Sequence, residues 1–404
     1  MISDFPSMRS FKHRNFRILF AANAMSNIGT WAQRIAQDWL VLELTHSGRD
    51  LGLVTGLQFL PALLLSMYGG SLADRFNKRK LLMITNLGGG VSSLLLGVLI
   101  VTHTVSIWHV FMLALSLGVF SSIDAPVRQS FNSEVVGKSD IANAISLNSA
   151  NFNAGRLVGP GLSGLMISWF GTGPSFIFNS ISYIFVLGGL SLIKESDLFI
   201  EHEPKAVAKI SEAIRYVRSR KDIVAVMVTV FFTATFGLNF QIFNALMATK
   251  VFGKGAASYG SMGSVVAIGS LTGALLSAKL DRKHGPRFVM FFASLFGASE
   301  ILLSFMPSYD FYLFILPLCG AFALTTLIAA NSFVQTTSDP HLRGRVMGIY
   351  LMIFMGGTPF GSPFIGWLST SIGVRQTVTL CGSVTVLAAL GTAFIVRNSG
   401  KSAR

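Results

Sequence analysis

The sequence predicts an all-α membrane protein with twelve transmembrane helices in two six-helix bundles. Two features of composition lead to this prediction: the mean hydropathy is +0.59, and only 12% of the 404 residues are charged. A soluble domain carries about 25% charged residues, so most of this surface is expected to face lipid. The third feature is a series of long apolar runs of about eighteen residues or more, the length that a helix needs to cross a bilayer.

The predicted spans follow one another with short polar connections. Their polarity does not alternate with a period of two residues, which excludes the strands of a membrane barrel. The first run is longer than the apolar core of a secretion signal and no small-residue cleavage site ends it, so we expect it to remain as span 1. The twelve spans are 16–44, 51–72, 81–102, 106–123, 142–169, 174–193, 223–249, 258–278, 288–306, 311–333, 346–369 and 374–396.

Basic residues are distributed unequally between the two sides of the predicted membrane. The formal net charge is +14, and 26 of the 32 Lys and Arg lie on the side of the N-terminus, against four in the loops of the other side. This positive-inside pattern predicts a multi-pass protein of the cell membrane with both termini in the cytoplasm. Because orientation and anionic lipids account for the charge, we expect no nucleic-acid partner.

The sequence shows no pattern typical of a cofactor, a metal or an enzyme. Cys319 and Cys381 fall inside spans, and the seven His have no metal-ligand spacing. No G-x-x-x-x-G-K-[ST] loop is present to hold ATP phosphates. A channel would need a charged ring or a carbonyl filter, and a membrane hydrolase would need a nucleophile near His or paired acids. Both stay remote alternatives. We expect any work that the chain does to draw on a gradient or on another protein.

The longest polar stretch divides the spans six and six. We predict an N-terminal bundle at 1–193, a cytoplasmic linker at 194–222 and a C-terminal bundle at 223–404. The linker segment "SEAIRYVRSRKDI" fits either an amphipathic helix on the inner surface or a solvated connection. Weak repeats relate the halves: "SLADRFNKRKLL" matches "AKLDRKHGPRFV", and "GRLVGPGLSGLM" matches "GTPFGSPFIGWL". Two related six-span halves with a site between them are one of the known transporter architectures.

A short charged loop lies between predicted spans 2 and 3. In "GGSLADRFNKRK", residues 69–80, five of the seven positions from Asp74 to Lys80 are charged, and an acid comes first. The glycines allow span 2 to approach a neighbour closely. An acid at the inner end of a span can accept hydrogen bonds from the free N–H groups of a helix N-terminus. Topology alone needs Lys and Arg but does not need Asp74.

This loop resembles the signature loop of the major facilitator superfamily. "RLVGPGLSGLM" in span 5 resembles the Gly-Pro motif of its exporters, with Gly155, Gly159, Pro160 and Gly164. "RNFRILFAANAMSNIGTWAQRIAQDWLVLELTHS" and "LRGRVMGIYLM" resemble the drug and siderophore exporter branch, which includes enterobactin exporters and macrolide efflux proteins. The resemblance covers nearly the whole chain and implies the major facilitator fold with alternating access.

The resemblance also implies a cytoplasmic gate. Asp74 is expected to accept hydrogen bonds from the N-terminus of span 11, near Arg345, and Asp124 is the expected partner of Lys78 or Arg79. Such a cluster would hold the halves together on the inside while the outside is open; alternatively, these charges only determine topology. The family usually has Gly where Asn77 stands, and Asn tolerates the left-handed conformation. The gate residues are Gly70, Asp74, Arg75, Lys78, Arg79, Asp124 and Arg345.

Four charged residues lie deep inside predicted spans, where a charge is costly and points to function. Arg34 and Asp38 are one turn apart in span 1, which the resemblance places at the central cavity, so Asp38 is a candidate proton carrier. Arg156 in span 5 is a candidate to hold an anionic group of the cargo. Glu300 in span 9 is a third proton-coupling candidate. The alternatives are a neutralising Arg34–Asp38 pair, a structural Arg156, and a Glu300 that reaches the outer interface.

Amides and aromatic side chains on several spans are expected to line a large amphipathic cavity, which suits bulky and partly apolar molecules. A single Asn in a span is more often a contact between helices than a ligand contact. The predicted cavity residues are Asn23, Asn27, Trp31, Gln58, Asn148, Asn151, Arg156, Asn239, Phe240, Phe243 and Asn331.

The function expected from these features is secondary active transport. The resemblance implies proton-coupled export of a hydrophobic or amphipathic small molecule, such as a drug or a siderophore. The expected partners are this cargo, protons and membrane lipids, and the chain is expected to be a monomer. The same fold moving another cargo, as a lysophospholipid flippase or an importer, stays open.

Overall fold

The computed structural model describes residues 6–200, 210–279 and 285–399. Side chains are described for these residues except at 6–7, 66–71, 73–74, 210, 278–279 and 398–399. Within these ranges the chain forms fourteen α-helices and no strand. The predicted all-α membrane fold is confirmed.

Helices account for nearly all of the described chain. Short 3-10 helices occupy Pro6–Lys12 and Glu195–Asp197, and π-helices occupy Thr233–Gly237 and Met247–Val251. The α-helices are α1 Arg14–Thr45, α2 Gly48–Arg75, α3 Lys78–Val101, α4 Ile107–Phe170, α5 Gly173–Ser191, α6 Ile210–Ser219, α7 Lys221–Phe232, α8 Phe240–Leu246, α9 Ala256–Lys279, α10 Pro286–Ser304, α11 Tyr309–Thr337, α12 Arg343–Gly356, α13 Thr358–Ile372 and α14 Val374–Ser399.

Nine helical segments of the described ranges are long and apolar enough to cross a membrane. One of them is α4, which contains predicted spans 4 and 5, so these segments cover ten of the twelve predicted spans. The other two predicted spans correspond to α1 and α2.

The largest departure from the predicted spans is in α4. The polar stretch at 124–141 was expected to connect two helices, but it is helical, and α4 runs for 64 residues. At 1.5 Å per residue such a helix rises about 96 Å, three times the apolar thickness of a bilayer. The backbone leaves helical geometry at Gly137, where φ is 71° and ψ is 173°, a conformation that favours glycine. A kink therefore separates the two spans.

Predicted span 7 is also not one regular helix. It consists of α7, the π-helix Thr233–Gly237, the short helix α8 and a second π-helix. At the break, the Asn239 side-chain amide donates to the carbonyl of Thr235 at 2.9 Å and to that of Phe236 at 3.3 Å. These bonds satisfy carbonyl groups that a regular helix would pair with backbone N–H groups. Predicted span 11 is divided in a similar way, into α12 and α13 at Gly357.

Contacts divide the chain into two units, each with its own core. The first unit consists of Met1–His46, Leu57–Pro204 and Gly255–Ser264, and the second of Ser47–Gly56, Lys205–Lys254 and Val265–Arg404. In the second unit, α6 buries Ala213 and Val217 in the core, so protein covers the apolar face of this linker segment. The predicted division at 194–222 stays a prediction.

The N-terminal segment is attached to α4 of the first unit. Asp140 is 2% exposed, and its Oδ2 atom lies 2.7 Å from Lys12 Nζ and 2.9 Å from His13 Nε2. Ser10 donates its hydroxyl to the Asp140 carbonyl at 3.2 Å. The hydrogen bonds from Lys12, and then from His13, hold the pKa of the Asp140 carboxyl below its ordinary value. This cluster explains why the polar stretch after the kink remains helical.

Within the second unit, the start of α2 packs on α13 through small residues. A Cβ atom on Gly52 would lie under 3.0 Å from the Ser362 carbonyl oxygen, and Gly48 and Gly56 make equally close approaches to the same helix. Close packing of small residues is the usual way in which membrane helices associate. The glycines at 48, 52 and 56 are therefore required by backbone proximity.

We expect Gly52→Ala to destabilise the chain by about 1–3 kcal/mol. The added methyl group would clash with the backbone carbonyl of Ser362, which cannot move aside as a side chain can by changing its rotamer. The measurement is thermal unfolding of the purified protein in detergent. Gly391→Ala in α14 is the matched control, since nothing lies within 4 Å of its Cβ position and alanine is the better helix former. Equal melting temperatures for the two variants would contradict the close-packing interpretation.

Candidate transport site

The first unit contains a polar cavity of about 310 Å³ among α1, α3, α4 and α5. Three predicted cavity residues, Asn23, Asn27 and Asn148, line it. Asp124, predicted for the gate, lies in the same wall. The remaining lining is mostly hydroxyl, amide and aromatic side chains: Ser26, Thr30, Thr85, Asn86, Phe120, Ser121, Ala125, Arg128, Asn132, Phe152 and Tyr183.

An ion pair in the wall organises this cavity. Arg128 donates from Nε to Asp124 Oδ2 at 2.7 Å and from Nη2 to Oδ1 at 3.0 Å. Asp124 Oδ1 also accepts from Thr85 Oγ1 at 2.9 Å and from Asn86 Nδ2 at 2.8 Å. Arg128 Nη1 donates to Asn23 Oδ1 at 2.7 Å. The network joins α1, α3 and α4 through charge-assisted hydrogen bonds, which are stronger than neutral ones.

The predicted partner of Asp124 was wrong. Asp124 pairs with Arg128 on its own helix, whereas Lys78 Nζ lies 2.5 Å from Glu134 Oε1. Arg79 binds Glu195 at 2.9 Å and donates to the carbonyls of Leu190 at 2.7 Å and Ser191 at 2.9 Å. The reason is the helical continuation of α4, which places Arg128 one turn after Asp124 and carries Glu134 two turns further along the helix.

The other gate residues lie on separate elements. Arg75 is exposed and lines a smaller cavity of about 260 Å³ together with Lys78 and Arg79. The predictions for Gly70 and Asp74 fall on side chains outside those that the structure describes. Arg345, in α12 of the second unit, has a buried Nη1 atom without a hydrogen-bond partner.

Arg34 and Asp38 do not form the neutralising pair that was the alternative to a proton-carrying Asp38. Among the described residues, no ion pair within 4.0 Å joins them, and Asp38 Oδ2 instead accepts from Tyr259 Oη at 2.7 Å. Asp38 is 4% exposed and Tyr259 is 1% exposed. Tyr259 lies in the first turn of α9, and the part of α9 up to Ser264 belongs to the first unit. The proton-carrier candidate is thus a buried acid held by a phenol.

Arg34 instead faces aromatic rings. Its guanidinium carbon lies 4.9 Å from the ring centroid of Trp31 and 5.7 Å from that of Phe59. The guanidinium carbon of Arg156 lies 5.8 Å from the Trp31 centroid. Trp31 also meets Phe152 edge to face, with the ring centroids 5.7 Å apart. Both predicted intramembrane arginines therefore lie around one indole ring.

Some residues predicted for the cavity connect helices instead. Asn151 is buried and donates to the Phe20 carbonyl at 3.0 Å, and the Gln58 side-chain oxygen accepts from Gln37 at 3.2 Å. In the second unit, Asn239 accepts from Ser362 Oγ at 2.9 Å. These amides follow the general tendency of Asn and Gln in spans to join helices.

The Gly-Pro motif of α4 is a packing surface in the first unit. Cβ atoms on Gly155 and Gly159 would lie under 3.0 Å from Asn27 and Trp31 of α1, and one on Gly164 would lie equally close to Ala256 at the start of α9. Next to Pro160, Ser264 Oγ accepts from the Gly161 N–H at 3.1 Å and donates to the Leu157 carbonyl at 2.7 Å. This hydroxyl bridges two backbone groups of α4 beside the proline, which has no N–H of its own. The motif residues are Gly155, Gly159, Pro160 and Gly164.

The second unit holds the remaining predicted residues. Phe243 is 3% exposed, so it belongs to the core. The Phe240 ring packs on Phe296 with 5.9 Å between centroids, and Asn331 is half-buried.

Glu300 of α10 does not reach the outer interface. It is 1% exposed, and neither carboxyl oxygen has a hydrogen-bond partner. A Cβ atom on Gly237, at the end of the π-helix Thr233–Gly237, would lie 3.1 Å from Glu300 Oε2. The hydroxyl oxygens of Thr233 and Thr235 in that π-helix are also buried without partners. π-Helices are frequent at functional sites, and Gly237 at the end of this one lies beside a buried acid.

Two important residues were missed from the sequence. Arg128 was assigned to the inner loop as a topology residue because the apolar run of span 4 ends at 123. The spacing of Asp124 and Arg128, four residues apart, could have identified a helical pair. Tyr259 carries no sequence signal, because its contact with Asp38 joins residues 221 positions apart.

Three comparisons bear on the identity of the chain. The family model described as transmembrane secretion effector matches residues 6–402. The chain is 23% identical to the Staphyloferrin A transporter of Staphylococcus aureus, over 94% of this chain and 96% of that protein, and 27% identical to the multidrug efflux pump Tap of Mycolicibacterium fortuitum, over 89% and 90%.

Among solved structures, a bacterial homologue of the human lysosomal transporter Spinster has the same fold. The TM-score is 0.76 at 16% sequence identity, with 95% of this chain and 96% of that chain covered. The family model and the relatives place the chain among transporters rather than enzymes. The chain belongs to the transmembrane secretion effector family, within the major facilitator superfamily of membrane transporters.

Proposed function

We propose that the chain is a proton-coupled exporter of a hydrophobic or amphipathic small molecule, a drug or a siderophore, that works by alternating access. The observation that carries this proposal is the cavity around Asp124 and Arg128. It combines amide and hydroxyl groups with the rings of Phe120, Phe152 and Tyr183. Such a surface can bind a partly apolar molecule through many weak contacts and a few directional ones.

The names of the relatives support this cargo class. One relative is named for a siderophore and the other for multidrug efflux. The first unit offers groups for both kinds of molecule: Asn23, Asn27 and Asn148 suit an oxygen-rich siderophore, and Phe120 and Phe152 suit an apolar drug. Export from the cytoplasm is therefore the direction that we propose.

Proton coupling is supported by two buried acids without a cationic partner within 4.0 Å among the described residues. Asp38 is bound by Tyr259, and Glu300 has no hydrogen-bond partner. Ionisable groups inside a membrane protein commonly mark proton pathways. The sequence has no ATP-binding loop, so a gradient is the source of energy that we propose.

We further propose that both termini lie in the cytoplasm of a bacterium and that the loop after α2 is part of a cytoplasmic gate. The bonds from Lys78 to Glu134 and from Arg79 to Glu195 and two carbonyls fix this loop on the first unit. A fixed surface of this kind is a suitable half of a gate. The chain is proposed to act as a monomer in contact with membrane lipids.

The test is transport into inverted membrane vesicles with an imposed pH gradient, acid inside. The panel contains ethidium, tetracycline, a catecholate siderophore, a hydroxycarboxylate siderophore and a fluorescent lysophospholipid. We expect accumulation of a drug or a siderophore that stops when a protonophore collapses the gradient. Vesicles without the protein are the control.

Accumulation that persists after the gradient has collapsed would contradict proton coupling. Movement of the lysophospholipid alone would support the alternative of a flippase. Cargo that leaves the vesicles under the same gradient would support an importer.

A further inference from the structure

The first unit contains a group of two arginines and three aromatic side chains beside its cavity. Two arginines, Arg34 of α1 and Arg156 of α4, lie 4.9 Å and 5.8 Å from the ring centroid of Trp31. Phe59 and Phe152 flank them, the first beside Arg34 and the second edge-on to Trp31. We call Arg34, Arg156, Trp31, Phe59 and Phe152 the Trp31 cluster.

Neither arginine in this cluster has an acidic partner. The ion pairs within 4.0 Å among the described residues include neither Arg34 nor Arg156. The Nε atom of Arg34 is buried and has no hydrogen-bond partner. The acid in the next turn of α1, Asp38, accepts its hydrogen bond from Tyr259. A buried donor without an acceptor is costly, so this arrangement is suited to an acceptor that comes from outside the chain.

Arg128, the arginine that lines the cavity, differs in this respect. Arg128 donates to both oxygens of Asp124 and to Asn23. Its charge is neutralised, and its donors are used. An anionic molecule in the cavity would therefore find uncompensated positive charge at the Trp31 cluster and not at Arg128.

The cluster borders the cavity. Phe152 both lines the cavity and packs edge-on against Trp31, and the cavity residues Asn27 and Thr30 come shortly before Trp31 on α1. A molecule can thus place its polar part among the amides of the cavity and its charged end beside Trp31. The planar guanidinium groups suit bidentate recognition of a carboxylate or phosphate, and the indole offers a face for a flat apolar group.

We infer that the Trp31 cluster is a binding site for the anionic group of the cargo, and that the preferred cargo is an amphipathic anion, a carboxylate attached to a flat apolar or aromatic part. This inference rests on the proposed export function and narrows its substrate class. Arg34 and Arg156 supply the hydrogen-bond donors, and Trp31 supplies the apolar contact.

The test compares two probes of nearly identical shape, 1-naphthoate and its neutral carboxamide. Their binding to the purified full chain is measured by calorimetry in nanodiscs of phosphatidylcholine at pH 7.5. We expect naphthoate to bind about tenfold more tightly or better, since hydrogen bonds to a charged acceptor exceed neutral ones by this amount. Equal affinities of the two probes would overturn the inference.

Variants locate the preference on the cluster. Arg34→Gln and Arg156→Gln are each expected to reduce the ratio of the two affinities, and the double variant is expected to abolish it. Arg156→Lys retains the charge and is expected to keep part of the preference. Arg49→Gln is the control, because Arg49 is exposed and outside the cluster. A ratio unchanged in the double variant, with the protein still folded by its melting temperature, would overturn the inference.

Two further measurements distinguish binding of a soluble anion from binding of a lipid headgroup, and anion preference from export itself. Phosphatidylglycerol added to the nanodiscs tests whether a lipid headgroup occupies the site; competition with naphthoate would overturn the assignment to a soluble cargo. The uptake of ethidium, a cation, is measured in the same variants. Equal affinities of the two probes for the wild type, with intact ethidium uptake, would remove the anionic cargo and leave the export function standing, whereas absence of all uptake in the wild type would contradict the export function itself.

Discussion

Replacing Arg128 by Met is expected to destabilise the protein by about 3 kcal/mol and to abolish transport. The substitution leaves Asp124 without its cation in the cavity wall, and an unpaired acid in a partly enclosed site is costly. The side chains of Arg128 and Asp124 are 27% and 21% exposed, so we expect the lower end of the 3–5 kcal/mol range for broken buried pairs. The measurements are thermal unfolding and vesicle uptake.

The double variant Asp124→Leu with Arg128→Met separates stability from transport. Removing both charges removes the uncompensated acid, and apolar replacements of buried ion pairs are often neutral for stability. We expect most of the melting temperature to return while transport stays absent, because Asn23 and Asn86 lose the partners that orient them. Arg49→Met is the control. A single Arg128→Met variant that melts like the wild type would contradict the role of the pair.

The predicted spans agreed with the helices where apolar runs alone decide the structure. They disagreed in α4, because hydropathy falls at 124–141 and a polar stretch between spans was read as a connection. The acidic side chains there have partners. Asp124 binds Arg128 within the stretch, and Asp140 binds Lys12 and His13 of the N-terminal segment. Partners that come from the N-terminal segment cannot be read from the local sequence.

Only part of the candidate site could be predicted from the sequence. Residue type and span number selected Asn23, Asn27 and Asn148, which line the cavity. The same criteria selected Asn151, which instead binds the Phe20 carbonyl. Which way a polar side chain faces depends on helix rotation, and a long apolar span with Asn on several faces does not fix that rotation.

The break in predicted span 7 had no sequence signal at all. The run 223–249 contains no charged residue, and neither Pro nor a Gly pair marks the π-helix Thr233–Gly237. The break depends on the neighbours of that segment, including Phe296 and Glu300 of α10. The alternative that Glu300 reaches the outer interface was wrong because it depended only on the position of Glu300 along span 9. The packing of neighbouring helices encloses the Glu300 side chain, which is 1% exposed.

Glu300→Gln is expected to uncouple the transporter. Glutamine reproduces the shape of the neutral carboxyl group, and Glu300 has neither a cation nor a hydrogen-bond donor in contact with it, so we expect the melting temperature to stay the same or rise. A carboxyl group in such an enclosed position can carry a proton in one state of the transport cycle and release it when water or cargo reaches it. Glutamine cannot release a proton. Downhill movement of cargo should therefore continue, while accumulation against a gradient falls to the level of empty vesicles.

The measurement combines cargo uptake with the fluorescence of pyranine inside proteoliposomes, which reports cargo-induced proton movement. Asp38→Asn is tested beside it, because Asp38 is the competing acid; we expect it to keep proton movement, since Asn can still accept from Tyr259. Glu43→Gln, an exposed acid on the same helix as Asp38, is the control. Cargo-induced proton movement that survives in Glu300→Gln and disappears in Asp38→Asn would transfer the coupling role to Asp38. If both variants retain it, the proton travels by another route and the unpartnered carboxyl of α10 is structural.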